Sequence, residues 1–151
     1  MNIAAQPPVQ ADQTIYLKDY QKPSFLVESI NLNIQVYDDH TIVDSTLVMK
    51  RQTAGELVLL GRDLELKSVQ LNGQTLSAEQ YHLDTEQLVI TNAPDEVIVQ
   101  TQVIIHPESN TQLEGLYKAG DLFVTQNEPE GFRKITFYPD RPDVLAEFTT
   151  R

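Results

Sequence analysis

From Asn110 to Gly115 the chain reads Asn-Thr-Gln-Leu-Glu-Gly, and two of these side chains carry chemistry suited to a positive ligand. Gln112 can donate and accept, and Glu114 offers two acceptor oxygens and a full negative charge. A primary ammonium is well met by that combination, because a hydrogen bond to an ionised partner is roughly twice as strong as a neutral one. In an extended segment, residues two apart project to the same side. Gln112 and Glu114 are therefore expected on one face, with Leu113 and Gly115 on the other. Gly115, lacking a Cβ, lets a ligand or a neighbouring backbone approach closely. A solvated polar edge carries the same Gln-x-Glu spacing, so the pattern alone leaves both possibilities open.

Other chemistry-bearing residues point nowhere as specific. His40, His82 and His106 are far apart and fall at expected turns or strand ends. No His-Glu-x-x-His pair exists, so the chain has no self-contained zinc motif. Its serines lack a Gly-x-Ser-x-Gly elbow. Asp38-Asp39 stands outside any Asp-x-Asp-x-Asp-Gly calcium loop and suits a plain turn. With no cysteine, disulfides, thiolate metal sites and a cysteine nucleophile are excluded. With no tryptophan, the ring-stacking platform of a sugar-binding sandwich is poorly supplied.

The elements that must position Gln112 and Glu114 follow from a period of two. Ile30, Leu32, Ile34 and Val36 alternate with Ser29, Asn31, Asn33 and Gln35, giving one buried and one wetted face. Asp38-Asp39 turns the chain into a second strand carrying Val43, Ser45, Leu47 and Met49. Leu57–Leu60 is a continuous apolar run expected as a buried strand. In Leu64–Leu71 the apolar phase slips between Leu66 and Val69, as a β-bulge would make it. Asn72-Gly73 is a favoured two-residue hairpin turn. Ser77 is placed to cap a single helical turn. Leu88 and Ile90 mark a brief strand, and Glu96–Ile105 the longest late one. Val144–Thr149 reads as a final strand whose continuation is missing.

These elements predict an all-β fold: one domain of antiparallel strands, either a two-sheet sandwich or a saddle-like twisted sheet. Residues 1–14, polar and with a Pro7-Pro8 pair, are expected as a flexible leader to a domain over 15–151. At 151 residues the chain is large enough for a substantial core. Its formal charge of −11 opposes nucleic acid and anionic membranes as partners. No apolar stretch approaches the roughly 20 residues of a membrane span. A cytoplasmic protein is the expectation.

A family resemblance enters at the same loop. Asn110–Tyr117, then Glu128-Pro129-Glu130-Gly131-Phe132-Arg133, then Tyr138-Pro139-Asp140-Arg141-Pro142-Asp143-Val144 strongly resemble the amino-terminal domain of zinc aminopeptidase N. The bacterial alanyl aminopeptidase branch is the most similar. Asp19-Tyr20-Gln21-Lys22-Pro23 resembles the family's lead-in, and the hairpins after it fit its strand pattern. The resemblance implies a non-catalytic domain of a multi-domain enzyme that removes amino-terminal residues from peptides. It implies that Glu114 binds the substrate α-ammonium and that Gln112 lines the same pocket. It further implies that zinc and the catalytic machinery belong to a following domain, leaving this fragment without bound zinc and without activity. The expected partners are the peptide amino terminus and that missing catalytic domain. Arg133, Asp140 and Arg141 are expected in structural ion pairs, with orientation against the catalytic domain as the other possibility. The competing function is a stand-alone β-sandwich module that binds a protein or a glycan.

Overall fold

The computed structural model describes residues 16–128 and 130–151; the expected leader lies outside the described residues. β1 (Phe25–Val36) and β2 (Thr41–Arg51) form the long hairpin that the alternation predicts. Its turn is closed by the Tyr37 amide, which donates to the His40 carbonyl at 2.9 Å. β1 contains a bulge between Val27 and Ser29 that the sequence reading did not foresee. The extra residue, Glu28, moves the inward set from Phe25 and Val27 to Ile30 and Leu32. β3 (Leu57–Leu60) buries Leu57 and Leu59 but turns Val58 outward, so its apolar run is not enclosed throughout.

β4 (Glu65–Leu71) slips register between Leu66 and Ser68, at the expected bulge. Asn72 and Gly73, at φ 51° and 80°, turn it into the short β5 (Gln74–Thr75). Residues 77–80 make one turn, closed by the Gln80 amide donating to the Ser77 carbonyl at 2.9 Å, in place of a helical segment. There follow β6 (Tyr81–Leu83), β7 (Gln87–Ile90) and β8 (Glu96–Ile105). The hairpin of β9 (Gly115–Ala119) and β10 (Leu122–Gln126) leads to a single 3-10 turn, Phe132–Lys134, and the chain closes on β11 (Glu147–Thr150).

Six strands make one sheet in the order β11-β1-β2-β8-β4-β5, and three make another in the order β3-β7-β6. Leu57, Leu59, Leu88 and Ile90 from the smaller sheet share one apolar core with Ile30, Leu47, Val99 and Val103 from the larger. Two packed layers around one core are what half-apolar strands require. The strand pairs are antiparallel with one exception. β11 lies parallel to β1, with Ile30 opposite Phe148, so the large sheet is mixed. β1 and β11 are separated by the whole intervening chain, so no hairpin joins them and parallel pairing is open to them.

The crossover passes through the core. Leu60 and Tyr138 exchange backbone hydrogen bonds of 2.8 and 3.0 Å, and Phe137 beside them is fully buried. Gly61 sits against the Phe137 ring, where an added Cβ would overlap the ring and come within 2.9 Å of Leu64 Cδ1. Gly61→Ala is therefore expected to destabilise the fold by about 1–3 kcal/mol, through overpacking at a site with no room to yield. Urea unfolding measures this; an unchanged midpoint would contradict it.

Candidate functional site

The loop before β9 is built by Asn110. Its Nδ2 donates to the Glu114 carbonyl at 2.6 Å and to the Leu116 carbonyl at 2.9 Å, holding the backbone on both sides of Gly115. Gly115 has φ 71°, and a Cβ on it would stand 2.7 Å from Lys134 Cβ and 3.2 Å from the Gly131 carbonyl oxygen. The close approach that glycine permits here is that of the neighbouring 3-10 turn.

Leu113 departs from the sequence-based expectation. At φ 60° it is left-handed, so the segment is not extended and the expected shared face of Gln112 and Glu114 is broken at that residue. Gln112 turns toward Lys134, whose Nζ donates to its Oε1. Glu114 stays exposed, and its side chain makes no hydrogen bond or ion pair among the described residues. Its charge is still felt nearby. The Arg62 guanidinium is held above its usual value first by a hydrogen bond to Glu86, then by the charges of Glu86, Glu114 and Asp63.

Lys134 is the residue that sequence reasoning missed. Its side chain is 4% exposed, and its Nζ also donates to Asp63 Oδ2 at 2.7 Å. A buried ammonium requires such partners. A cleft of about 310 Å³ opens beside this cluster, lined in part by Asp63, His106, Asn110, Gln112 and Lys134. Nothing local in Arg133-Lys134-Ile135 signals the cluster, since Gln112 is 22 positions away and Asp63 is 71.

Arg133, Asp140 and Arg141 engage in structural ion pairs. Arg133 Nε and backbone N–H donate to Asp140 Oδ2 at 3.1 and 3.0 Å, and its Nη2 donates to the Asp140 carbonyl at 2.9 Å. Arg141 grips both Asp143 oxygens, at 2.8 and 2.7 Å, and donates to the Gln21 carbonyl at 2.9 Å. The Tyr20 hydroxyl donates to Asp143 Oδ2 at 2.8 Å, so the lead-in is tied to the closing segment.

The histidines pair locally. His40 meets Asp39 at 2.7 Å, His106 meets Glu108 at 3.3 Å and His82 lies 3.8 Å from Asp84. Among the described residues no three His, Cys, Asp or Glu side chains are grouped to hold a metal ion. No helix among them is long and apolar enough to cross a membrane.

Residues 19–151 match the Peptidase M1 N-terminal domain. The chain belongs to that family. It is 42% identical over 142 residues to aminopeptidase N of Caulobacter vibrioides, covering 92% of this chain and 16% of the relative. It resembles a crystal structure of Legionella pneumophila aminopeptidase A in complex with aspartic acid. That match has a TM-score of 0.81 and 28% identity, over 89% of this chain and 16% of that one. An M1 zinc metallopeptidase from Deinococcus radiodurans, bound to a Tyr-Ser-Ala substrate, shares the fold. There the TM-score is 0.70 at 21% identity, over 84% of this chain and 32% of that one. The chain thus spans about a sixth of the length of the aminopeptidase N it matches.

The Arg141–Asp143 pair has a measurable consequence. The hydrogen bond from Arg141, helped by that from Tyr20, holds the Asp143 carboxyl down at about 2. The unfolded chain keeps that proton to higher pH, so the stabilisation is full above the ordinary value of 3.8 and drains away as pH falls toward 2. Asp143→Asn is expected to lower stability at pH 6 and to flatten its dependence on pH between 4 and 2. Unfolding midpoints across that range test it, and parallel curves for the two proteins would contradict it.

Proposed function

We propose that this chain is the amino-terminal domain of a bacterial zinc aminopeptidase, and that Glu114 anchors the α-ammonium of the peptide substrate. The observation that carries the proposal is the state of Glu114: an exposed carboxylate without an ion-pair partner among the described residues, on a backbone fixed by Asn110. An exopeptidase must recognise a terminal charge that internal peptide bonds lack. A fixed carboxylate provides that recognition and sets the register from the chain end. Further support comes from the 42% identity to a protein named aminopeptidase N.

Zinc and the groups that cut the bond would belong to polypeptide outside this chain, which supplies no metal-binding cluster among its described residues. Within this chain the work is binding. Glu114 receives the ammonium, Gln112 lines the same site, and the 3-10 turn carrying Lys134 holds the loop in shape. The parent protein is placed in the cytoplasm, which cell fractionation tests.

Two outcomes are expected. The purified 151-residue chain does not cleave alanine anilide with zinc added, and measurable zinc-dependent turnover would overturn that assignment. In the full-length enzyme, Glu114→Ala lowers kcat/KM on free-amine substrates by about 10- to 100-fold, the worth of one charge-assisted hydrogen bond. Equal loss on amine-blocked substrates, or none on either, would remove the anchoring role.

A further inference from the structure

We propose that the open edge of β3 at Val58 is a docking slot for an extended segment of a separate polypeptide, which pairs antiparallel with β3 through its backbone. Strand pairing in the smaller sheet decides which backbone groups of β3 are free. The Gly61 amide donates to the Glu86 carbonyl at 2.9 Å on the β7 side, so Leu57, Leu59 and Gly61 turn their backbone groups toward β7. Val58, Leu60 and Arg62 turn theirs to the outer edge. At Arg62 that edge is met by Arg133, whose carbonyl accepts the Arg62 amide at 2.9 Å. At Leu60 it is met by Tyr138 through both backbone hydrogen bonds. At Val58 nothing meets it among the described residues.

The crossover that covers this edge abandons it at Pro139. The Asp140 amide turns back onto the Tyr138 carbonyl at 2.8 Å and the Arg141 amide onto the Pro139 carbonyl at 2.8 Å, so no residue follows Tyr138 along β3. A cleft of about 360 Å³ is left there, lined in part by Pro23, Phe25, Val58, Leu60 and Pro139. Its walls name the occupant. An unpaired N–H and C=O two residues beyond an existing antiparallel pair call for a peptide backbone on the same path, as strand addition to a sheet edge supplies. Side chains directly opposite in an antiparallel pair share a face, so the residue facing Val58 stands beside Val58 and Leu60, both apolar. Lys22 and Glu56 at the rim carry opposite charges, and Arg141 is already held by Asp143, so charge adds no preference. The fitting segment is short, extended, uncharged and β-branched, without proline. Glu114 does not line the cleft, and the docking role is separate from substrate binding.

The test uses the 151-residue chain and a fluorescein-labelled heptapeptide, acetyl-Ser-Thr-Val-Ile-Val-Thr-Ser-amide. Saturable binding by anisotropy is expected. In amide hydrogen exchange the Val58 N–H, fast in the free chain, is expected to slow when peptide is added. N-methylating the peptide one residue at a time is expected to weaken binding by about 3- to 10-fold at alternate positions only, where the lost donor faces β3. Val58→Pro deletes the outward N–H, which an edge strand tolerates, so the unfolding midpoint holds while saturable binding is lost. No saturable binding at about millimolar peptide, equal losses at every N-methylated position, or undiminished binding to Val58→Pro would each overturn the proposal. So would a Val58 amide that becomes protected without peptide as protein concentration rises, since a second copy would then occupy the slot. Should Val58→Pro fail to fold, the N-methyl series on the unaltered chain decides.

Discussion

The arrangement of the site depends on one buried charge. Taking an ammonium out of water costs several kcal/mol even after relaxation, and the cost is tolerable only where acceptors replace the lost water. Lys134 finds its acceptors in Asp63, just after β3, and in Gln112, just before β9. One side chain thus joins three segments, two of which are also tied by the Arg62 amide donating to the Arg133 carbonyl at 2.9 Å. Such a pair adds little net stability compared with apolar packing, but it penalises every arrangement that leaves the charge alone. Its effect is on which conformation the loop adopts.

Backbone strain gathers around the same charge. Asp63, Leu113 and Glu130 have φ of 57°, 60° and 66°, and none of them is glycine. Leu113 is the least suited of the three, since a branched aliphatic side chain gains nothing from the left-handed region, and each such residue costs of order 1–3 kcal/mol. It persists because Asn110 fixes the carbonyls of Glu114 and Leu116 while Gly115 presses on the 3-10 turn. Strain that the surroundings hold in place is a way to present a polar group at a set position. Here it separates Gln112, turned inward to the lysine, from Glu114, left facing water.

What was legible in the sequence follows the range of the interactions. The β1–β2 hairpin, the bulge in β4 and the Asn72-Gly73 turn arise from neighbours a few residues apart, so alternation and turn chemistry revealed them. The bulge at Glu28 was hidden, because Phe25-Leu26-Val27 is a continuous apolar run that defines no phase of its own. The parallel pairing of β11 depends on the path of the whole crossover, which no local period encodes. Glu114 and Gln112 were singled out by residue type and by family likeness. The relation between them was misjudged, because a left-handed leucine has no local signature and Lys134 is drawn in by contacts 22 and 71 residues distant.

An exposed carboxylate is by itself a weak receptor. Two unit charges 4 Å apart attract by about 1 kcal/mol in bulk water and by about 4 kcal/mol at the effective dielectric of a partly enclosed protein site. Glu114 has water around it here, so an ammonium docked on this chain alone would gain little over remaining solvated. The same carboxylate covered by another surface would gain several-fold without any change in its own geometry. On the reading proposed above, this domain contributes half of a binding site. It supplies a held charge and an oriented amide, and the strength of both depends on what excludes water from them.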